Sequence, residues 1–366
     1  MKYILSTIML IHGAIHLMGF VKGFNLANIE NLNSEIPKPA ALLWLVVFLL
    51  FALSGIFYWL ANDMWMLFAG VATLLSAILI IGIWSDAKFG MIPNIIIAIA
   101  ILFSFSSCAF NKKITSETQS ILSTVNEYSK EIVSEDDIAN LPTPVKNWLT
   151  SSRAVEKEKV QTVWLSQAFL MKLKPEQENW HHATAQQYFT VDKPAFIWTV
   201  DMRMSPIIHI KGRDKFIDGK GEMQMKMNSI INLGKETGHK MDEGTLQRYL
   251  GEMVWFPSAV LSPYVTWVEV DSLTAKATMN YQGTTGSGTF YFNQNGDFVR
   301  FSAMRYKGNA PDAKRYEWVI DVDEYAVFEG VRIPSKCRAT WKLEEGDWTW
   351  CEIEITDLKY NIDIEK

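Results

Sequence analysis

Four stretches in the first third of the chain carry apolar residues with little polar interruption: Tyr3 to Val21, Ala40 to Leu60, Met64 to Trp84 and Ile92 to Phe110. Each is close to the ~20 residues an α-helix needs to cross a bilayer core. Four such runs with short connections predict an antiparallel bundle of transmembrane helices. Trp44, Trp59, Trp65 and Trp84 stand near run ends, where aromatic anchors meet the membrane interface. The first run follows a short Met-Lys start, as a signal peptide would. It lacks a small-x-small cleavage site, however, and carries His12 and His16 in its middle.

Beyond Asn111 the pattern changes. Residues 112–140 are polar, but Ile121, Leu122, Val125, Tyr128 and Ile132 recur at helical spacing. This predicts an amphipathic connector helix ending in the acidic Glu135-Asp136-Asp137. Leu141-Pro142-Thr143-Pro144-Val145 then places a proline to open a short helix through Leu149. From Val160 onward, alternation dominates. Phe196, Trp198, Val200 and Met202 share one parity, as do Met223, Met225 and Met227, and Trp318, Ile320 and Val322. Period two of this kind means antiparallel strands with one apolar and one wetter face. Asp218-Gly219, Asn295-Gly296 and Glu345-Gly346-Asp347 separate alternating runs as hairpin turns do.

One stretch breaks the alternation. In Thr245 to Leu261, the residues Leu246, Tyr249, Leu250, Met253 and Val254 fall on one helical face. A lone amphipathic helix among strands must bury that stripe, and the hollow of a curved sheet is the available place. The expected fold class is therefore α, a four-helix transmembrane bundle over 1–111, joined by the connector to a mainly antiparallel β domain over 141–366. That domain is a strongly curved sheet around one central helix near 245–256.

The charge supports this division. Up to Asn111 the charged residues are Lys2, Lys22, Lys38, Lys88, Glu30, Glu35, Asp63 and Asp86, which cancel, so the formal net charge of -5 belongs to the remainder. No basic face is concentrated enough for nucleic acid. Basic residues at the bundle ends tie, so they do not orient it. Three cysteines make no disulfide framework. Cys337 and Cys351 lie on the arms of one expected hairpin, where they are a single bridge or two small buried side chains.

No catalytic motif emerges: no G-x-S-x-G, no phosphate loop and no dinucleotide fingerprint. His181 and His182 face opposite ways on a strand, and His209 and His239 stand alone, so no metal set is expected. Gly283-Thr284-Thr285-Gly286-Ser287-Gly288 reads as a flexible hairpin tip. His12 and His16 are one helical turn apart and face the same way. They could ligate haem or a metal, hydrogen-bond a quinone, or bond to neighbouring helices. In the central helix Arg248 and Glu252 are spaced i, i+4, either as a surface pair or at the rim of a cleft. Trp255 and Phe256, just before Pro257, must be buried or line that cleft. Trp198 and Met225 stand on apolar strand faces and join them as candidate ligand-binding residues, because adaptable Met and aromatic surfaces suit apolar ligands. Asp201, Arg203, Asp321 and Asp323 are solvated or site-lining.

Arg248-Tyr249-Leu250-Gly251-Glu252-Met253-Val254-Trp255-Phe256-Pro257-Ser258-Ala259 resembles the signature R-Y-L-x-E-x-x-W-F-P-x-A of an uncharacterised bacterial domain family. Leu141-Pro142-x-Pro144-Val145, Arg305-Tyr306 and Gly330-Val331-Arg332-Ile333-Pro334 also resemble that family. Ile11-His12-Gly13-x-x-His16-Leu17-x-Gly19-Phe20 and Trp84-Ser85-Asp86-Ala87-Lys88-Phe89-Gly90 resemble DoxX-like four-helix membrane proteins. The strand–helix–strand plan is similar to LolA-like lipoprotein carriers, whose curved sheet and helix enclose an apolar cavity. These resemblances bring no catalytic residues. They imply a multi-pass membrane protein whose β domain, expected on the extracytoplasmic side, binds or carries a lipid-like ligand. The alternative they imply is a quinone-linked redox component with the β domain as sensor or partner module.

Overall fold

The computed structural model describes residues 2–30, 32–125, 128–205 and 208–362. The chain divides into two compact units, Met1–Phe110 and Asn111–Lys366.

The first unit is helical: α1 (Lys2–Gly23), α2 (Lys38–Trp59), α3 (Met64–Gly82), the short α4 (Trp84–Ala87), and α5 (Met91–Leu122), which runs on into the second unit. Four helical stretches are long and apolar enough to cross a membrane: Tyr3–Gly23, Lys38–Trp59, Met64–Gly82 and Trp84–Leu122. Met9, Val47, Phe51, Trp65, Ala69, Ala72 and Ile97 pack in the centre. Large apolar residues also point outward; Leu74 is 69% exposed and Ile78 65%. An exterior that apolar suits contact with lipid or with a partner rather than with water.

In the second unit α6 (Glu135–Ile138) starts at Ser134, whose side chain forms a capping box with Asp137. It is followed by α7 (Thr143–Ser151), opened by Pro144 in its first turn. Six strands come next: β1 (Thr162–Met171), β2 (His181–Thr190), β3 (Ala195–Arg203), β4 (His209–Ile217), β5 (Lys220–Met227) and β6 (Ile231–Thr237). The helix α8 (His239–Glu252) interrupts them and runs into 3-10 turns over Met253–Trp255 and Pro257–Leu261. The chain returns with β7 (Val265–Asp271), β8 (Thr274–Tyr281), β9 (Thr284–Phe292), β10 (Phe298–Tyr306), β11 (Arg315–Phe328), β12 (Val331–Leu343) and β13 (Gly346–Tyr360).

All thirteen strands form one antiparallel sheet, in the order β6-β5-β4-β3-β2-β1-β13-β12-β11-β10-β9-β8-β7. The sheet curls hard, and α8 shows how hard. The helix packs against β4, β5 and β6 and also against β8, β9 and β10. In a flat sheet, at about 4.8 Å per strand, β5 and β9 would stand on the order of 43 Å apart. A helix about 10 Å wide touches both only if the sheet wraps round it. The wrapping brings distant turns together: Thr284 Oγ1 donates to the Gly219 carbonyl at 2.7 Å, and the Phe216 and Tyr281 rings lie 6.1 Å apart.

Three expectations need correction. The connector expected over 112–140 is not a separate helix. Its first turns belong to α5, which ends at Leu122; residues 126 and 127 lie outside the described residues; and Ile132 makes an isolated bridge to Glu158. The central helix begins at His239 rather than near 245, because its first turns are polar and carry no apolar period. The segment from Gly283 to Gly288 is not a loose tip. Only Gly283, at φ +79°, serves the turn, while the rest is strand β9. A Cβ on Gly286 would lie 2.8 Å from Leu246 Cδ2, so that glycine lets α8 lie close against the strand.

Candidate functional site

Wrapped by the sheet, α8 is buried on both sides. Leu246, Tyr249, Leu250 and Met253 pack into the core, and Asp242, Glu243, Thr245, Gln247 and Glu252 are buried with them. Such polar groups need partners. Asp242 accepts from the Gly221 amide at 2.8 Å and from Lys220 at 3.0 Å. Glu243 pairs with Arg315 at 2.7 Å. Gln247 fills a gap in the sheet. Pairing between β9 and β10 stops at Ser302↔Thr289, and the Gln247 amide donates to Ser287 O and Met304 O, at 3.2 and 3.1 Å. One side chain thus stands in for the next rung of the ladder.

The last turn of α8 builds a charged layer across the hollow. Arg248 donates to Asp214 Oδ2 at 2.7 Å and to Glu252 Oε1 at 2.8 Å. Its guanidinium lies over Trp198, 4.7 Å from the ring centroid, and over Phe196 at 5.1 Å. Gln187 Nε2 donates to the other Glu252 oxygen at 2.7 Å, and Trp198 Nε1 donates to Gln167 Oε1 at 3.0 Å. From β10, Arg305 donates to the Gly244 carbonyl at 2.8 Å and lies 4.2 Å over the Trp318 ring. Burial pushes the Asp214 and Glu252 carboxyls up from their usual range, against the pull of Arg248. Burial and repulsion by Arg248 bring Arg305 down to about 10.

This layer is incompletely satisfied. Gln167 Nε2, Gln187 Oε1, Asp214 Oδ1, Arg305 Nε and Trp318 Nε1 are buried with no partner among the described residues. The two amides are oriented by their neighbours, because an indole N–H only donates and a carboxylate only accepts. The free Gln167 atom is therefore its nitrogen, and the free Gln187 atom its oxygen.

Further along the inner face the lining is apolar and only half-buried: Met225, Met227, Ile210, Ile320, Val322 and Trp341. Register puts these on the same side as Asp214 and Trp198. Met225 pairs with Gly212, two residues from Asp214, and Trp341 pairs with Trp318.

The sequence-predicted residues thus divide. Arg248, Glu252 and Trp198 meet in one layer, and Met225 lies beside it on the same face. Glu252 is interior rather than at a rim, 9% exposed. Trp255 and Phe256 belong to the packed core, with Phe256 4.7 Å from the Phe189 ring. Asp201, Arg203 and Asp323 lie with His182, His209 and Lys336 along a groove of about 800 Å³ on the outer face, and Asp321 pairs with Arg300 at 2.6 Å. Cys337 and Cys351 are free, buried thiols two residues out of register, and burial pushes Cys337 up to about 12. Asp214, Gln167, Gln187 and Arg305 were missed as site residues, while Trp318 was read only as part of the apolar lining. The signal for the first three was a polar side chain on the apolar parity of a strand.

The helical unit has a polar cluster of its own. His16 Nδ1 faces the His12 carbonyl at 2.8 Å and must donate to it, which leaves His16 Nε2 to accept from Ser76 Oγ at 2.9 Å. His12 Nε2 faces Asn94 Oδ1 at 2.9 Å and also donates, while Asn94 Nδ2 donates to Ser76 at 2.9 Å. His16 is then neutral with a fixed tautomer, and in the neutral form of His12 the proton sits on Nε2 and Nδ1 is the acceptor. Only His12 Nδ1, an acceptor, has no partner among the described residues. No group of three His, Cys, Asp or Glu side chains among the described residues is placed to hold a metal.

A family model described as "Family of unknown function (DUF6544)" matches residues 131–353, so its span begins ten residues before the expected 141. None of the curated proteins compared matches the chain in sequence. Among solved structures, a LolA superfamily protein from Nitrosomonas europaea is similar at 10% identity and a TM-score of 0.36, covering 61% of this chain and 95% of that one.

Proposed function

We propose that this chain, which belongs to the DUF6544 family of unknown function, is a membrane-anchored binding protein that takes up a largely apolar ligand on the inner face of its curled sheet. The observation that carries this reading is the half-buried set Met225, Met227, Ile210, Ile320, Val322 and Trp341 on the concave side. Inner positions of a curled sheet are normally filled or covered. Here the core of α8 and its aromatic continuation occupies one part of the hollow, and the apolar lining continues past it. Methionine suits such a surface because it adapts to ligands of different shape. The four apolar helices supply the anchor.

The test uses the full-length chain transferred to amphipol, with bound lipid extracted and quantified by mass spectrometry. Met225→Glu places a charge on the inner face and is expected to remove a stoichiometric portion of that lipid. Thr184→Glu, on the exposed outer face, is expected to leave it unchanged. Equal lipid in both variants and the wild type would sink the reading.

A second reading rests on His12 Nδ1. An unpaired acceptor inside a helical bundle suits the hydroxyl of a quinol, and not the carbonyl of a quinone, which itself only accepts. Quinol-dependent fluorescence quenching that disappears in His12→Gln would favour it. Gln retains a donor for Asn94, and its own acceptor, the amide oxygen, stands one bond further out than Nδ1, so the acceptor is lost from that position. Identical quenching in the variant would remove it.

A further inference from the structure

Resting on the apolar-ligand reading, we infer that the ligand carries an uncharged head that both donates and accepts hydrogen bonds, of the amide or hydroxyl class, and seats it against the layer of Arg248, Asp214 and Glu252. Two observations point this way. The first is charge. Arg248 and Arg305 stand against Asp214 and Glu252, so the layer is neutral before any ligand arrives. Neighbouring charges do not alter the sum, because Glu243 is held by Arg315. Arg213 is held by Glu117 and Glu222 and sits at the outward parity of β4, one residue from inward Asp214. A phosphate or ammonium head would bring an uncompensated charge into a buried layer, which is far more costly than burying a neutral hydrogen-bonding group.

The second observation is the hydrogen-bond inventory. Within the layer the unpartnered atoms are three donors, Gln167 Nε2, Trp318 Nε1 and Arg305 Nε, and two acceptors, Gln187 Oε1 and Asp214 Oδ1. The first four belong to side chains without free choice: Trp198 fixes the Gln167 amide, Glu252 fixes that of Gln187, and Gly244 and the Trp318 ring hold Arg305. A head with acceptors alone would answer only the donors, and an alkane neither. An amide or a glycerol head offers both kinds of group at once.

The experiment measures binding of a C12 series to the full-length chain in amphipol by native mass spectrometry: dodecanamide, monolauroylglycerol, dodecyl phosphate, dodecyltrimethylammonium and dodecane. The amide and the glycerol ester are expected to bind at least about tenfold more tightly than the charged members and dodecane, the factor that one or two net hydrogen bonds supply. Gln167→Leu should erase that advantage. Should that variant fail to fold, Trp318→Phe keeps an aromatic ring under Arg305 while removing the N–H together with two ring carbons, and should reduce the advantage. Charged heads binding as well as the uncharged ones, or dodecane matching the amide, would overturn the inference and leave the apolar-ligand reading standing. Failure of every member to bind would bring down both.

Discussion

The two units each bury a polar cluster, and the two clusters are built on opposite plans. In the helical unit, His12, His16, Ser76 and Asn94 form a closed neutral circuit in which each donor finds an acceptor and one lone pair is left over. In the β unit, four charges and two amides are crowded into one layer, and five atoms go without partners. A neutral, satisfied cluster costs little to bury and holds helices together. A charged, partly satisfied one is expensive, so its presence in an otherwise apolar hollow points to a use beyond packing. The difference separates a fastening from a site.

The sharpest way to break this contrast is Arg248→Met. It removes the guanidinium that both carboxylates share and leaves Asp214 and Glu252 buried without it. Removing one member of a buried ion pair costs about 3–5 kcal/mol, and denaturant unfolding of the full-length chain, followed by tryptophan emission, is expected to show a loss of that order. A loss below about 1 kcal/mol would mean that the layer behaves as a solvated surface network and that the contrast is illusory.

How much of this could be read from the residues depends on whether a feature is local. The four apolar runs, the Asp218-Gly219 turn and the stripe of α8 are local patterns, and the structure has all of them. Glu252 next to Arg248 is also local, which is why that pair was visible. Asp214 lies 34 residues from Arg248 along the chain; only the curl of the sheet joins them, and no spacing rule encodes curl. Gln167 and Gln187 stood on apolar parities, a signal that marks an inward polar side chain without saying what it meets. The polar first turns of α8 carry no apolar period that would extend the helix before 245, because a helix walled on both sides needs no wet face. The glycines of β9 looked like a tip because the helix that explains Gly286 comes from another part of the chain.

Acidity tests the contrast from another direction, with a smaller effect. Burial raises the Asp214 and Glu252 carboxyls in the folded chain. The folded state therefore holds these protons more tightly than the unfolded chain does. This favours folding below the ordinary carboxylate value of about 4, and the benefit is lost as pH rises through the raised values. Relative to an Asp214→Asn, Glu252→Gln double variant, the wild type should lose melting temperature as pH rises from about 4 toward neutral. A difference of about 2–4 °C corresponds to roughly 1 kcal/mol in a unit of this size. A difference that stays flat, or grows with pH, would show that pairing with Arg248 outweighs burial.

The smallest expected effect belongs to the helical cluster, and it decides whether that cluster is only a fastening. Ser76→Ala deletes the hydroxyl that donates to His16 Nε2 and accepts from Asn94 Nδ2. Three helical segments meet at that oxygen, so nothing else in the circuit can take its place. Even so, interhelical hydrogen bonds in membranes average about 0.6 kcal/mol and reach about 1.7, because unpaired groups find substitutes in the less ordered state. Thermal unfolding of the helical unit within the full-length chain should therefore move by an amount in that range. A larger loss would mean that the neutral circuit is as indispensable as the charged layer. The unpaired His12 nitrogen would then have to be read as part of a second site, rather than as the one loose end of a structural knot.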